Sequence, residues 1–273
     1  MKVVKFKGGL GNQLFQYAFL KYIEKISNEI VYCDFKYYDL IDKDNIRKPR
    51  IRGFNVDLIE LNEYDRKKML KLKNNRKPNS INSKIIIFFE YLLNRKYHLE
   101  WNKKNRVFKV FRLKKDMYFD GYWQSIKYIS AVEDKIMIDI TLKSKLNLHN
   151  LHYITNELKG NSVMIGVRRG DYVTVSKNKK RYNELLEDYY NSAIKYIQER
   201  VKNPKFMVFS NDIDWVKENM SFSCNVDYRE CEEQFNDLEE LIVTSKCKHF
   251  VIPNSTFHWW AAWLNRNPDK IVV

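Results

Sequence analysis

The sequence has few of the residues that build a disulfide framework or a zinc site. Its 273 residues include four cysteines, Cys33, Cys224, Cys231 and Cys247, and these form no C-x-x-C pair. No histidine stands at zinc-ligand spacing from any of them, so the pattern indicates reduced thiols that pack as small apolar side chains. We therefore expect neither a structural metal nor disulfides.

Long apolar runs are also missing. The first residues lack the apolar core and the small-residue cleavage site of a signal peptide, and no run approaches the length that spans a bilayer. We therefore expect a cytoplasmic protein. Low-complexity tracts and solenoid repeats are absent, whereas 44% hydrophobic and 15% aromatic residues suffice for one large globular domain or two of ordinary size.

Acidic residues are scarce in one region. Between residues 66 and 115 the chain has 17 lysines and arginines but only two acids, an excess equal to the net charge of +15. The sequence allows three interpretations of this region: a solvated surface, a surface that binds nucleic acid, or a surface that binds acidic lipid headgroups. No nucleic-acid motif accompanies the charge, so we expect no nucleic-acid partner and favour peripheral contact with an anionic membrane, on the inner face of the plasma membrane.

Two α/β segments are predicted. Strand, glycine turn, helix and strand follow one another from Val3 to Cys33, which is the opening of a parallel sheet. A second alternation begins near residue 150, with predicted strands at Ser162–Val167, Phe206–Phe209 and from His249. We predict two domains, 1–150 with the basic insertion and 151–273. Because the chain stops within an apolar run, we also expect the natural fold to continue beyond Val273.

The glycine loop GGLGNQLFQYA lacks one glycine of the dinucleotide-binding fingerprint. Gly9 and Gly11 match its first two glycines, and Asp34 stands at about the distance of the ribose-binding acid. Leu14 occupies the third position, where the fingerprint needs close packing of helix on sheet. A nicotinamide-dependent oxidoreductase and a turn that merely connects strand to helix both stay open as alternatives.

Two arginines follow the predicted strand at Ser162–Val167, in the motif VRRGDY. Arg168 and Arg169 lie where ligands bind in open α/β sheets, and a guanidinium suits bidentate contact with phosphate. Alternate residues of a strand point to opposite faces, so one arginine is expected to face a ligand. The other is then a structural partner of Asp171.

Small polar residues follow the other two predicted strands. Asn211 and Asp212 follow the strand at Phe206–Phe209. Asp212 and Asp214 form a D-x-D pattern, which is either a weak match to a metal site or a helix N-cap at Asp212. Hydroxyl and amide side chains precede an aromatic helix, which is the arrangement of an anion site at a helix N-terminus. His258 in that helix has no obvious triad partner. The hydroxyl and amide side chains before this helix belong to Asn254, Ser255 and Thr256. The tryptophans of the helix, Trp259, Trp260 and Trp263, are expected to pack in the core.

The motifs extend in order from Gly8 to Asn265. Besides the glycine loop and VRRGDY they include GYWQSIKYI at 121–129, FSNDIDW and DLEELIVTSKCKHFVIPNSTFHWWAAWLN. In their order and in their amino-acid sequences, these motifs resemble those of the bacterial α-1,2-fucosyltransferases, family 11 of the glycosyltransferases. The resemblance implies an α/β fold of GT-B type, with two Rossmann-like domains facing a cleft. It also implies GDP-fucose as donor and neither a metal ion nor another cofactor.

The resemblance carries site residues with it. It implies that Arg169, paired with Arg168, binds the diphosphate, and that Asn12 lies near sugar and acceptor beside Gln13. We expect Arg169 and Asn12 to be catalytic, with Asp171 as a weak choice of general base. The family motif usually reads H-x-R-R-x-D, and Gly166 stands at its histidine position, which leaves the base open. The donor site would also include Gly9, Gly11, Asn211, Asp212, Asn254, Ser255 and Thr256.

The predicted reaction is inverting, metal-independent transfer of fucose from GDP-fucose to a hydroxyl of an oligosaccharide or lipid-linked glycan. A galactoside acceptor and an α-1,2 linkage are expected. Transfer from another nucleotide sugar, a nicotinamide-dependent oxidoreductase and a sugar-nucleotide binder without activity are the alternatives.

Overall fold

A computed structural model describes residues 1–39, 48–70, 97–100, 113, 115–168, 187–229 and 236–273. The chain forms two compact units, Met1–Lys143 and Ser144–Val273, where the sequence prediction divided it after Asn150. Arg169, Asp171 and most of the basic region 66–115 lie outside the described residues. None of the helices in the described ranges is both long enough and apolar enough to cross a membrane.

The first unit is built on a five-stranded parallel sheet in the order β3-β2-β1-β5-β4. Its strands are β1 Lys2–Lys5, β2 Val31–Asp34, β3 Ile59–Glu60, β4 Tyr97–Leu99 and β5 Met117–Asp120. Its helices are α1 Leu10–Ser27, α2 Glu63–Leu70, α3 Ile126–Ser130 and α4 Glu133–Asp139, with 3-10 turns at Lys36–Asp39 and Arg50–Gly53. The sequence prediction omitted β3, β4 and β5, which are short strands between polar segments.

Helix α1 begins within the glycine loop. Gly9 is its N-cap, so Gly11 lies inside the first turn instead of in a loop. The helix buries Leu14 completely against the unit's core, which accounts for a large apolar residue at the third fingerprint position. It ends at Asn28, whose left-handed φ of 52° lets its N–H bond the Glu24 carbonyl at 2.8 Å.

The second unit has a four-stranded parallel sheet in the order β8-β7-β6-β9. Its strands are β6 Asn161–Val167, β7 Pro204–Ser210, β8 Val226–Tyr228 and β9 His249–Val251. Its helices are α5 Leu148–His152, α6 Glu187–Gln198, α7 Ile213–Asn219, α8 Asp237–Thr244 and α9 Thr256–Leu264, with a π turn at Tyr153–Glu157. Near the end of the chain Val272 forms an isolated parallel bridge with Phe250 of β9.

The two faces of the central strand β6 pack against different helices. Val163, Ile165 and Val167 share a buried cluster with apolar residues of α6. Because strand residues alternate, Met164 and Gly166 point to the opposite face, and there Gly166 contacts His258 of α9. Of the three tryptophans in α9, Trp260 is fully buried, whereas the other two are half-buried and stack with ring centroids 6.5 Å apart.

Candidate active site

Polar residues that are far apart in sequence meet at one edge of the second unit's sheet. Strand β6 runs parallel to both β7 and β9, with Val167 opposite Ser210 and Ile165 opposite Val251. Their carboxyl ends therefore share one edge, which is where open α/β sheets bind ligands. Arg168 follows β6 there, and the residues that follow the neighbouring strands are Asn211, Asp212, Asn254, Ser255 and Thr256.

The N-terminus of α9 lies at this edge. Ser255 is the N-cap and is buried, and its side chain makes no capping hydrogen bond. The N–H groups of a first helical turn have no intrahelical acceptor, and the helix dipole adds partial positive charge beside them. This geometry suits an anion such as a phosphate group.

The ring of His258, in the first turn of α9, lies directly on Gly166. A β carbon at Gly166 would come within 2.9 Å of Cγ and Nδ1 of His258, closer than side chains pack. Burial and then the positive charge of Arg168 lower the pKa of His258 to about 3, so the ring is neutral at ordinary pH.

Asp212 acts as a helix cap. Its Oδ1 accepts from the Trp215 N–H at 3.4 Å, and its own N–H donates to Ser210 Oγ at 3.0 Å. The N-cap interpretation of the D-x-D pattern is therefore confirmed. In the part of the chain that the structure describes, no three histidine, cysteine or acidic side chains lie close enough together to hold a metal ion.

The glycine loop of the first unit is held by a buried glutamine. Gln13 has no exposed surface, its Nε2 donates to the carbonyls of Gly8 and Lys48 at 3.1 and 2.9 Å, and its Oε1 accepts from the Ile51 N–H at 3.0 Å. These bonds fix Gly8, whose φ of +81° favours glycine. Acceptor binding by Gln13 stays a prediction. In the structure the side-chain amide of Gln13 makes hydrogen bonds that support the loop.

Asn12 is half-buried beside that loop and contacts a residue that sequence reasoning did not single out. Gln124 Nε2 donates to Asn12 Oδ1 at 2.8 Å. A second glutamine, Gln16, ties the loop to the same segment, because its Nε2 donates to the carbonyls of Lys7 and Gly121 at 3.2 and 3.1 Å. The three-residue spacing of Gln13 and Gln16 on one helix was the available signal for this pair.

The segment that carries Gln124 is itself tightly constrained. A β carbon at Gly121 would lie 2.4 Å from Glu100 Cβ, and the Glu100 carboxylate accepts from the N–H groups of Tyr122 and Trp123 at 2.6 and 3.0 Å. Trp123 has a left-handed φ of 55° and stacks on Phe19 at 4.1 Å. An unfavourable backbone conformation of this kind persists where the surrounding contacts hold it in place, and such residues are often found at functional sites.

The carboxylate of Asp34 makes hydrogen bonds within the first unit. It is buried, its Oδ2 accepts from the Tyr118 hydroxyl at 2.6 Å and its Oδ1 from the Lys36 N–H at 2.8 Å. A dinucleotide site requires this carboxylate for the ribose hydroxyls. The described contacts of Asp34 therefore disfavour the oxidoreductase alternative.

A cavity of about 490 Å³ opens at the carboxyl edge of the first unit's sheet. Its wall is tied to the glycine loop, since Tyr38 of the wall donates to the Gly8 carbonyl at 2.9 Å. Arg52 lies over the Phe35 ring and pairs with Glu60. The charged lining residues are Lys36, Lys48, Arg52, Arg66, Asp34, Asp39, Glu60 and Glu63.

Comparison with known proteins decides the family. The model of "Glycosyl transferase family 11" matches residues 1–273. The chain belongs to this family. An Escherichia coli "Alpha-1,2-colitosyltransferase" is 32% identical over 99% of this chain and 90% of its own length. The "O-antigen biosynthesis glycosyltransferase WbnK" of Escherichia coli is 30% identical over 97% of this chain and 91% of its own length.

A solved structure supports the fold. The fucosyltransferase NodZ from Bradyrhizobium matches with a TM-score of 0.56 at 12% identity, over 96% of this chain and 92% of that one. The predicted α/β fold of GT-B type, with two Rossmann-like domains, is therefore confirmed. The chain is a family 11 glycosyltransferase, as the resemblance implied, and it is also 30% identical to the human "Galactoside alpha-(1,2)-fucosyltransferase 1" over 37% of this chain and 28% of that protein.

The predicted site residues fall into three groups. Arg168 and the residues after β7 and β9 share one edge of the second unit. Gly9, Gly11, Asn12 and Gln13 lie together at the start of α1 in the first unit. Arg169 and Asp171 lie outside the described residues, so their roles stay predictions. Sequence reasoning missed the support by Gln16 and Gln124 and the contact of His258 with Gly166.

The low pKa of His258 predicts a pH dependence of stability. An unfolded chain takes up this proton near the ordinary pKa of 6.5, and the folded chain only near 3. Between these values the unfolded state binds more protons, so stability falls as the pH is lowered. We expect His258→Phe to reduce the loss in unfolding free energy between pH 7 and pH 5 by about 2 kcal/mol. Urea titrations at both pH values measure it, and equal losses in the two proteins would contradict a neutral buried ring.

Proposed function

We propose that this family 11 enzyme transfers fucose from GDP-fucose to a hydroxyl of a glycan, with inversion and without a metal ion. The single observation that carries the proposal is that Arg168 and the N-terminus of α9 follow neighbouring parallel strands, at the carboxyl edge of one sheet. A guanidinium and the N–H groups of a first helical turn together match a diphosphate. The donor is thus assigned to the second unit.

The same groups would accelerate the reaction. As the acceptor hydroxyl attacks the anomeric carbon and the bond to GDP breaks, negative charge grows on the departing diphosphate. Fixed positive charge and N–H groups bind that developing charge more strongly than they bind the ground state. We assign this part to Arg168, Arg169, Ser255 and Thr256, and it replaces the charge that a metal ion would supply.

The acceptor proton needs a base, and the described histidine at the site is not suited to the task. His258 is 5% exposed and its pKa is about 3, so it accepts a proton poorly at neutral pH. Asp171 stays the predicted base. A base that collects the proton late in the step contributes modestly, which is compatible with glycine at position 166.

A second donor is favoured by one comparison. The Escherichia coli relative at 32% identity is named as an α-1,2-colitosyltransferase, and colitose is fucose without its 3-hydroxyl group. We therefore include GDP-colitose as an alternative donor at the same site. The two sugars share the diphosphate contacts, so the described residues do not favour one of them.

The acceptor is proposed to bind the cavity of the first unit. Arg52, Glu60 and Asp39 line the cavity together with the Phe35 ring, so charges of both signs stand beside an aromatic face. Mixed hydrogen-bonding groups and an aromatic face suit a neutral polyhydroxylated ligand better than an anion or an apolar chain. A galactoside within an oligosaccharide or a lipid-linked glycan, joined in α-1,2 linkage, is the proposed acceptor.

Loss of the arginines tests the donor site. Arg168→Ala and Arg169→Ala are each expected to lower the transfer rate from GDP-fucose by about 100-fold or more, with an unchanged circular dichroism spectrum. Arg200→Ala, at an exposed arginine of the same unit, is the matched control and should transfer normally. Thermal shifts with GDP, UDP and NADH accompany the assay. Near-normal turnover by the arginine variants, or selective stabilisation by NADH, would refute the proposal.

Substitution in the cavity tests the acceptor site. Glu60→Gln removes a carboxylate that can accept sugar hydroxyls, so the acceptor KM should rise about tenfold while the donor KM stays constant. Glu29→Gln is the control, because Glu29 pairs with Lys2 near the start of β1. Steady-state assays with each substrate varied provide both constants. An unchanged acceptor KM for Glu60→Gln would exclude this cavity as the acceptor site.

Contact of the basic region with membranes stays a proposal that rests on sequence alone. Lysines and arginines between residues 66 and 115 are expected to draw the protein to anionic lipid headgroups. Flotation with liposomes that contain or lack anionic lipid measures this. Equal recovery with both lipid compositions would rule out an electrostatic membrane contact.

A further inference from the structure

Within the described residues, the side-chain amide of Asn12 makes a hydrogen bond at only one of its two ends. Asn12 lies half-buried in the first turn of α1, and its Oδ1 accepts from Gln124 Nε2 at 2.8 Å. Its Nδ2 has no acceptor in the part of the chain that the structure describes. An amide nitrogen carries two N–H donors, so both of these donors are left for a ligand.

The surroundings of Asn12 leave its amide little freedom of position. A β carbon at Gly8 would come within 2.7 Å of Asn12 Nδ2, so the amide lies directly against the α carbon of Gly8. The Gly8 carbonyl is held in turn by hydrogen bonds from Gln13 Nε2 and the Tyr38 hydroxyl, at 3.1 and 2.9 Å. A half-turn about the last side-chain bond still exchanges the oxygen and the nitrogen of an amide with almost no change in shape. The donor from Gln124 favours the orientation in which Oδ1 faces it.

The segment that carries Gln124 is fastened to the chain around the glycine loop at two further positions. Lys7 Nζ pairs with Asp120 Oδ1 at 2.6 Å, and the buried Gln16 donates to the Gly121 carbonyl at 3.1 Å. Contacts that precede Gln124 in the chain therefore bring it to the loop. Gln124 itself is exposed, and an exposed hydrogen bond competes with water, so this bond adds little to the stability of the fold. Its effect falls on the orientation of the amide that it contacts.

We propose that Gln124 is a positioning residue, which by donating to Oδ1 of Asn12 holds Nδ2 of that amide toward an oxygen of the acceptor sugar. A hydroxyl or ring oxygen of a neutral sugar is the ligand that matches a fixed N–H donor. The inference rests on the proposed function, because it takes the acceptor glycan to bind the first unit beside Asn12. Gln124 contacts neither substrate in this arrangement. Asn12 transfers no proton, since an amide is not basic at neutral pH.

Three replacements of Gln124 by side chains of similar length separate the two possible directions of its hydrogen bond. Gln124→Lys can only donate, Gln124→Met does neither appreciably, and Gln124→Glu can only accept. A carboxylate at position 124 attracts the N–H groups of Asn12, so the amide turns and presents Oδ1 to the acceptor instead of Nδ2. The acceptor KM should stay within about threefold of the wild type in Gln124→Lys, rise in Gln124→Met and rise most, by about tenfold, in Gln124→Glu.

Steady-state transfer from GDP-fucose to a panel of galactosides that includes lactose measures these constants. The donor KM should not change in any of the three variants, and circular dichroism checks the fold. Gln198→Glu is the matched control, because Gln198 is an exposed glutamine at the end of α6 in the other unit. It carries the same change of charge and is expected to keep the wild-type acceptor KM.

A double-mutant cycle tests whether Gln124 acts through Asn12. Asn12→Ala removes the amide, so the acceptor KM should rise about tenfold or more. In that background Gln124→Glu should cause no further rise. A side chain that bound the sugar by itself would instead add its own loss to that of Asn12→Ala.

The outcomes separate this inference from the proposed function. Equal acceptor KM values in the three Gln124 variants, a loss in Gln124→Lys as large as in Gln124→Glu, or additive losses in the cycle would overturn the positioning role and leave the proposed acceptor site intact. Loss of the folded circular dichroism spectrum in these variants would also overturn it, because Gln124 would then support the fold. A wild-type protein that transfers fucose to none of the galactosides would overturn the proposed acceptor and this inference together.

Discussion

Positive charge fixed at the carboxyl edge of the second unit's sheet is the constraint on which the candidate site depends. Three parallel strands end there, and their order puts Arg168 between the residues after β7 and the start of α9. In the proposed donor site, the N–H groups of α9 and the guanidinium of Arg168 would bind the diphosphate from this edge. A site prepared in this way binds developing charge without the cost of reorganisation.

The first unit uses its glycine loop differently from a dinucleotide-binding protein. Leu14 packs into the core, and Asp34 bonds Tyr118, so neither the helix approach nor the ribose acid of that fingerprint is present. Gln13 and Gln16 instead fasten the loop to neighbouring segments. The loop is therefore a rigid support that presents Asn12 beside Gln124, next to a separate cavity with polar walls.

Much of the second unit could be predicted from the sequence because its strands are apolar runs that end in polar residues. Parallel strands bring such ends together whatever their separation along the chain, so Arg168 and Ser255 could be placed on one edge in advance. The first unit was harder. Strands β3 and β4 have two and three residues, and so short a segment has no measurable periodicity.

Side-chain roles that depend on long-range packing escaped prediction. The amide of Gln13 is a plausible ligand until its bonds to Lys48 and Ile51 are known, and no local pattern contains them. The position of His258 on Gly166 likewise depends on how α9 packs on β6. In contrast, the cap formed by Asp212 is local, and three residues of sequence sufficed to suggest it.

A crystal structure with bound GDP is the most direct test of where the donor lies. The diphosphate is expected at the N-terminus of α9, with its oxygens within hydrogen-bond distance of the Arg168 guanidinium and of the first-turn N–H groups. A diphosphate bound instead at the glycine loop between β1 and α1 would contradict the assignment of the donor to the second unit.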